Sequence, residues 1–285
     1  MENINQIIIV GPTASGKTGL AVDLAKKIDG QIISADSRAI YKELDIGTAK
    51  PSTSERQGIV HYGFDLIYPS ERFSSIKFKE YAADKVNIIK SRGKMPIIVG
   101  GSGLYIDSYV FNFQPPAVDT SGYTKLNNMS IQELQELITL KKLKMPQNPK
   151  NKLHLINTLL RGGKAPQRNS NPPEGSLIIG LMPDRKYLRD NISLRAEQMI
   201  DNGVIEEARA AFEKYGYYAP GLKGGIYAQL VKHFKEGLDI ATVMENFIIS
   251  DMQLAKRQTT WFKRNQFIKW FSTVNEAKKY LGLLN

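Results

Sequence analysis

Short apolar runs alternate with stretches of helical period along the first 110 residues. Gln6–Val10 (QIIIV) reads as a buried strand, and residues 31–35 (QIISA) and 95–99 (MPIIV) as further apolar strands. Apolar side chains fill both alternating sets of positions, as strands covered on both faces require. Residues 17–28 follow with an amphipathic helical pattern. Residues 78–92 repeat it, with Ala82, Val86 and Ile89 on one face and a basic end at Lys90 and Arg92. Gly100, Gly101, Ser102 and Gly103 then lead into a helix expected from Leu104. Strands alternating with helices predict an α/β fold on a parallel, doubly wound sheet.

The pattern changes at Pro115–Pro116 and returns after Pro172–Pro173. Between these pairs lie helical segments near 131–143 and 151–160, then a polar stretch rich in Gly and Pro. Proline pairs at both ends mark an inserted module. The expected division is a core of 1–113 and 176–285 with an insertion over 114–175. Ser176–Leu181 (SLIIGL) reads as a strand rejoining the sheet. Helices are expected through Met199 and over 206–215, 225–234 and 240–264, with a last short strand near 270–272.

Composition narrows the class. Of 285 residues, 42% are hydrophobic and 24% charged, which are globular values and exclude collagen-like or disordered chains. Cysteine is absent, which removes disulfides, cysteine-based metal sites and thiol nucleophiles. No apolar run approaches the ~20 residues of a membrane helix, and no basic leader precedes an apolar stretch. A reducing compartment and no membrane partner are therefore expected. The net charge of +11 favours a polyanionic partner. Residues 115–180 hold a large share of it, with nine basic and four acidic side chains. A solvated lysine-rich surface is the plainer reading of the same numbers.

Gly11, Pro12, Thr13, Ala14, Ser15, Gly16, Lys17 and Thr18 match the P-loop pattern, with a strand before and a helix after. Backbone N–H groups of such a loop cradle phosphates. Lys17 adds a cation, and the Thr18 hydroxyl is placed to hold Mg²⁺. The same loop marks ATP- and other nucleotide-binding proteins, so by itself it does not name a reaction. Such proteins commonly add an acid at the end of an apolar strand, and Asp36, after QIISA, is the nearest candidate. Its spacing fits a helix N-cap and an active-site carboxylate equally well.

Three further blocks break the tie: ISADSR at 33–38 with YKELDIGTAKP at 41–51, VGGSGLY at 99–105, and AKRQTTWFK at 255–263. Together with GPTASGKT, and in this order, they resemble the tRNA dimethylallyltransferase family over nearly the whole chain, most weakly at 114–175. The resemblance implies a P-loop nucleotide-kinase-like core with a helical insertion that grips the tRNA anticodon stem-loop. It implies transfer of a dimethylallyl group from dimethylallyl diphosphate to N6 of the adenosine 3′-adjacent to the anticodon. Gly11 to Thr18 would then bind the donor diphosphate, with Mg²⁺ on Thr18. Asp36 would be the general base, with Thr13 and Arg195 acting on the diphosphate. Asp36, Ser37, Arg38, Ala39 and Ser102 would contact tRNA. A monomer in the cytoplasm is expected.

Several positions depart from the family pattern. Ala39 stands where Gln is usual, Lys77 replaces an acid, His154 and Asn157 replace arginines, and Ile226–Tyr227 replaces a Gly-Tyr pair. Most of these positions are implied to face RNA, so acceptor recognition is expected to differ. Three other readings stand beside the transferase: a non-catalytic RNA-binding paralogue, an adenylate isopentenyltransferase acting on free nucleotides, and a small-molecule kinase. His61 is expected to serve a loop structurally, and Trp261 and Phe262 to anchor the core.

Overall fold

The computed structural model describes residues 3–114, 116, 120–164 and 167–284; Pro115, half of the first proline pair, lies outside them. The strands are β1 (Gln6–Val10), β2 (Gly30–Ser34), β3 (His61–Tyr62), β4 (Met95–Gly100), β5 (Ser176–Leu181) and β6 (Lys269–Phe271). They form one sheet in the order β3-β2-β4-β1-β5-β6, and every pairing is parallel. Parallel pairing forces long crossovers, and these carry α1 (Lys17–Ile28), α2 (Thr53–Arg56), α3 (Ser75–Ser91) and α4 (Gly103–Val110). α5 (Tyr123–Asn128), α6 (Ile131–Leu140) and α7 (Lys152–Leu160) follow. After β5 come α8 (Arg185–Asp201), α9 (Val204–Tyr215), α10 (Gly225–Glu236), α11 (Ile240–Phe262) and α12 (Val274–Tyr280).

Two compact units result, Met1–Val110 with Asn171–Asn285, and Phe111–Ser170. In the first, β1 is buried along its whole length, with Ile7 beside Ile97 of β4 and Leu177 of β5. Ile7, Ile9, Ile97, Val99, Ile179 and Leu181 pack with Leu20 and Leu24 of α1 and Ala277 of α12. The alternate set, Ile8, Ile33, Ile98 and Ile178, is buried as well. Each such isoleucine contributes about 1.5–3 kcal/mol by leaving water. A separate helical core joins Ile40 and Leu44 to Phe212, Ile226, Tyr227 and Phe247.

The second unit has its own small core of Leu134, Ile138, Leu155, Ile156 and Leu159. Its helices start on side-chain caps. Ser130 and Glu133 form a capping box on α6, and Asn151 accepts from His154 N on α7.

The structure adds elements that the hydrophobic pattern does not announce. β3 is two residues long, and α12 buries one side chain, Ala277. Neither is long enough to establish a period.

Candidate active site

The strand order sets β2, β4, β1 and β5 side by side. Their carboxyl ends therefore bring together the segments from Ala35, Gly101, Gly11 and Met182. A crevice at that edge is the usual ligand site of an open α/β sheet. Here a cavity of about 1120 Å³ opens there, lined by Thr13, Lys17, Asp36, Arg38, Ser102 and Arg195 among others. Every lining residue belongs to the first unit. Of the sequence-derived site residues, Thr13, Ala14, Lys17, Thr18, Asp36 to Ala39 and Ser102 thus converge with Arg195 of α8, whereas Gly11, Pro12, Ser15 and Gly16 do not line the cavity.

The phosphate loop is held tightly. Gly11 has φ 151°, and a Cβ there would lie 2.5 Å from the Leu181 carbonyl oxygen of β5. Only glycine permits that approach. α1 begins at Lys17 with no side-chain cap, so its first N–H groups remain available to an anion. Lys17 Nζ folds back to donate to Pro12 O and to Ser15 Oγ, the latter at 3.3 Å. Burial pushes its ammonium down to about 8; Asp36 opposes that shift and Arg195 adds to it. Thr18 stands exposed in the first turn of α1.

Thr13 is bound from two directions. Its N–H donates to Gln258 Oε1 at 2.7 Å, and Gln258 Nε2 donates to Gly101 O at 3.0 Å. Its Oγ1 accepts from Arg195 Nη2 at 2.7 Å. The same Nη2 lies 3.3 Å from Asp251 Oδ2. Asp251, on α11, is 7% exposed. Burial raises its pKa, while Arg195 and Arg38 work against the rise.

Asp36 follows β2 at the mouth of the cavity. Oδ1 accepts from Arg38 N at 2.7 Å. It caps a turn over 37–40, not a helix. The other carboxylate oxygen accepts no hydrogen bond among the described residues, and the side chain lines the cavity. Ser102 Oγ accepts from Ser37 N at 2.9 Å and donates to Ser37 Oγ at 3.0 Å, which ties the loop after β4 to the loop after β2. That tie needs close backbones, and a Cβ on Gly100 would lie 2.1 Å from Ala35 O. Ala39 is 4% exposed.

The match to known proteins runs over most of the chain. The family model described as IPP transferase covers residues 39–265. The tRNA dimethylallyltransferase of Acetivibrio thermocellus is 35% identical over 95% of this chain and 92% of its own length. That of Streptococcus pyogenes serotype M6 is 35% identical over 95% and 91%.

This chain belongs to the IPP transferase family.

A solved structure agrees. The tRNA Δ(2)-isopentenylpyrophosphate transferase of Staphylococcus epidermidis superposes with a TM-score of 0.71 at 30% identity, covering 97% of this chain and 98% of the other.

As a member of the IPP transferase family the chain has its own peculiarities. Ile226 is fully buried within the helical core, so that departure bears on packing and not on an RNA-facing surface. Lys77 is exposed in the first turn of α3. On α7, His154 is exposed and Asn157 half-buried. Trp261 corrects the expectation of a core anchor. It is 36% exposed, lines the cavity and donates from Nε1 to Asp107 Oδ2 at 3.1 Å, while Phe262 alone is buried. A Cβ on Gly103 would lie 2.3 Å from Trp261 Cδ1. His61 sits in β3, and its Nδ1 bonds Ile59 O at 2.8 Å; burial lowers its pKa.

Three residues escaped the sequence reading. Gln258 and Asp251 are described above. The third, Glu207 of α9, accepts from Asp45 N at 2.7 Å and from Ile46 N and Gly47 N at 2.9 Å, and also from the Tyr227 hydroxyl. It holds a turn whose residues Gly47, Thr48 and Ala49 line the cavity. Gln258 had a signal, because it lies in the AKRQ block. The other two stand in helices whose patterns look ordinary.

Proposed function

We propose that this chain transfers a dimethylallyl group from dimethylallyl diphosphate to N6 of the adenosine 3′-adjacent to the anticodon of tRNA, releasing diphosphate. One observation carries the reading: the Asp36 carboxylate and the Lys17–Arg195 cationic cradle open into a single cavity. A phosphate cradle serves many reactions. A carboxylate facing it across a space large enough for a base suits nucleophilic attack by an amine. The names of the relatives favour tRNA over free nucleotides as acceptor.

Lys17, Arg195, the Thr13 hydroxyl and the N–H groups at the start of α1 would hold the donor diphosphate. Arg195 supplies a planar donor array suited to phosphate oxygens. The target adenine leaves its stack to enter the cavity. Its N6 lone pair attacks C1 of the dimethylallyl group while the C1–O bond breaks, and that electron pair departs with diphosphate. Asp36, steadied through Oδ1 by Arg38 N, takes the N6 proton on its other oxygen. Thr18, exposed in the first turn of α1, would hold Mg²⁺ through its hydroxyl beside the diphosphate. Among the described residues no cluster of three His, Asp or Glu side chains competes for the ion. Held there, the ion would supply positive charge to the leaving diphosphate.

Ser37, Arg38, Ala39 and Ser102 border the same cavity and would meet the acceptor nucleotide. The cavity is complete within one chain, which supports a monomer. No helix of the described residues is long and apolar enough to cross a membrane, and a tRNA acceptor argues for the cytoplasm. The test is incubation with Mg²⁺, dimethylallyl diphosphate and unmodified bulk tRNA, followed by mass analysis of nucleosides. A dimethylallyl adenosine peak is expected. Its absence, with the donor bound, would overturn the acceptor.

A further inference from the structure

Asp251 is a buried carboxylate, and it stands beside a cradle suited to an anion. Its Oδ2 lies 3.3 Å from Arg195 Nη2, the same nitrogen that donates to Thr13 Oγ1 at 2.7 Å. The guanidinium is not fully used by this arrangement, because its Nε is buried without an acceptor. A diphosphate arriving at Thr13 and Lys17 brings new acceptors to Arg195. Two anions then compete for one cation, and an ionised carboxylate so near repels the newcomer.

We propose that Asp251 is a counter-ion that the donor displaces: it holds Arg195 on Thr13 in the donor-free protein and takes a proton from solvent when the diphosphate draws the guanidinium away. The inference rests on the P-loop being the donor site. Asp251 acts through Arg195 and is a positioning residue.

The charged groups acting on it are Arg195 from α8 and Arg38 and Asp36 from the turn after β2, with the Thr13 hydroxyl from the phosphate loop. Arg195 is the foremost of those that keep the carboxylate ionised. Withdrawing that guanidinium and adding a second anion both favour the protonated acid. A group that binds its proton more tightly in the complex makes binding take up a proton, so affinity is higher at lower pH. Ionisation of the ligand itself acts in the opposite direction. Lys17, with its midpoint at about 8, contributes little at pH near 6.5.

The test is calorimetric titration of inorganic pyrophosphate, in excess Mg²⁺, at about pH 6.5 in two buffers of different ionisation enthalpy. Wild type, Asp251→Asn and Lys17→Ala are compared. Wild type is expected to take up protons on binding. Asp251→Asn keeps an acceptor for Arg195 without the charge. It should take up fewer protons and bind on the order of tenfold more tightly. Equal uptake and equal affinity in these two proteins would overturn the counter-ion role. If Asp251→Asn fails to fold, the wild-type profile decides. With the known ionisation of pyrophosphate taken out, affinity that falls between about pH 5.5 and 7 supports the proposal, and a flat or rising profile overturns it. Lys17→Ala separates the two levels of argument. Binding that is lost in Lys17→Ala but unmoved in Asp251→Asn sinks the counter-ion alone. Binding that is absent from wild type, or unchanged in Lys17→Ala, sinks the donor site as well.

Discussion

The side-chain amide of Gln258 joins Thr13 to Gly101, accepting the Thr13 N–H at 2.7 Å and donating to the Gly101 carbonyl at 3.0 Å. One side chain thus sets the spacing between the phosphate loop and the loop after β4. Gln258→Ala should leave the Thr13 N–H and the Gly101 carbonyl unpartnered and cost about 1–3 kcal/mol of stability. Gln258→Glu should weaken pyrophosphate binding further, because it adds an anion and turns an acceptor towards the carbonyl. Urea denaturation and pyrophosphate titration of both variants check the order.

Asp36 should matter for turnover and little for the donor. Asp36→Ala is expected to lower the rate of prenyl transfer by about 10²–10⁴-fold, the usual worth of a positioned base. Pyrophosphate affinity should stay within about threefold of wild type. Single-turnover kinetics and a parallel titration separate the two. Near-normal turnover would remove Asp36 from the reaction.

Lys17 predicts a pH break. Its ammonium is depressed by burial to about 8. The neutral amine offers a diphosphate no charge, so binding needs the proton. The contribution of Lys17 to donor affinity should be complete below that value, and affinity should fall by about a further tenfold per pH unit well above it. Pyrophosphate dissociation constants measured from neutral to alkaline pH would reveal the break. No loss of affinity through pH 9 would contradict the placement of Lys17 on the phosphates.

Glu207 is expected to act on stability and on the cavity wall together. Glu207→Ala strips three backbone N–H groups at 45–47 and the buried Tyr227 hydroxyl of their acceptor. The expected loss is about 2–4 kcal/mol, since each buried unpaired donor costs up to a few kcal/mol. Thermal denaturation should register it, and Glu207→Gln, whose amide nitrogen faces donors, should rescue only part.

The sheet was legible because its strands are covered on both faces. QIIIV, MPIIV and SLIIGL carry apolar side chains at nearly every position, and β1, β4 and β5 are where those runs fall. The phosphate loop was legible because a tight anion cradle needs glycines and a lysine at fixed spacing. β3 and α12 were not, being too short to show a period. Trp261 misled because an aromatic beside a buried Phe262 looks like core, whereas its ring lies over Gly103 at the cavity. Asp251 and Glu207 could not be read from the chain. What they do depends on partners such as Arg195 and Gly47, far away in sequence and brought near only by tertiary packing.

The central position of β1 has a consequence for synthesis. It pairs with β4 on one side and β5 on the other, so one edge of QIIIV waits for residues some 170 positions downstream. A nascent chain that has made only the first four strands therefore carries a bare, uncharged, strongly β-prone edge beside an unfinished cradle. Such edges recruit other chains. The half-made protein is thus at its stickiest while ribosomes are still adding the second unit, and chaperone shielding in that interval should govern its yield more than the stability of the finished fold.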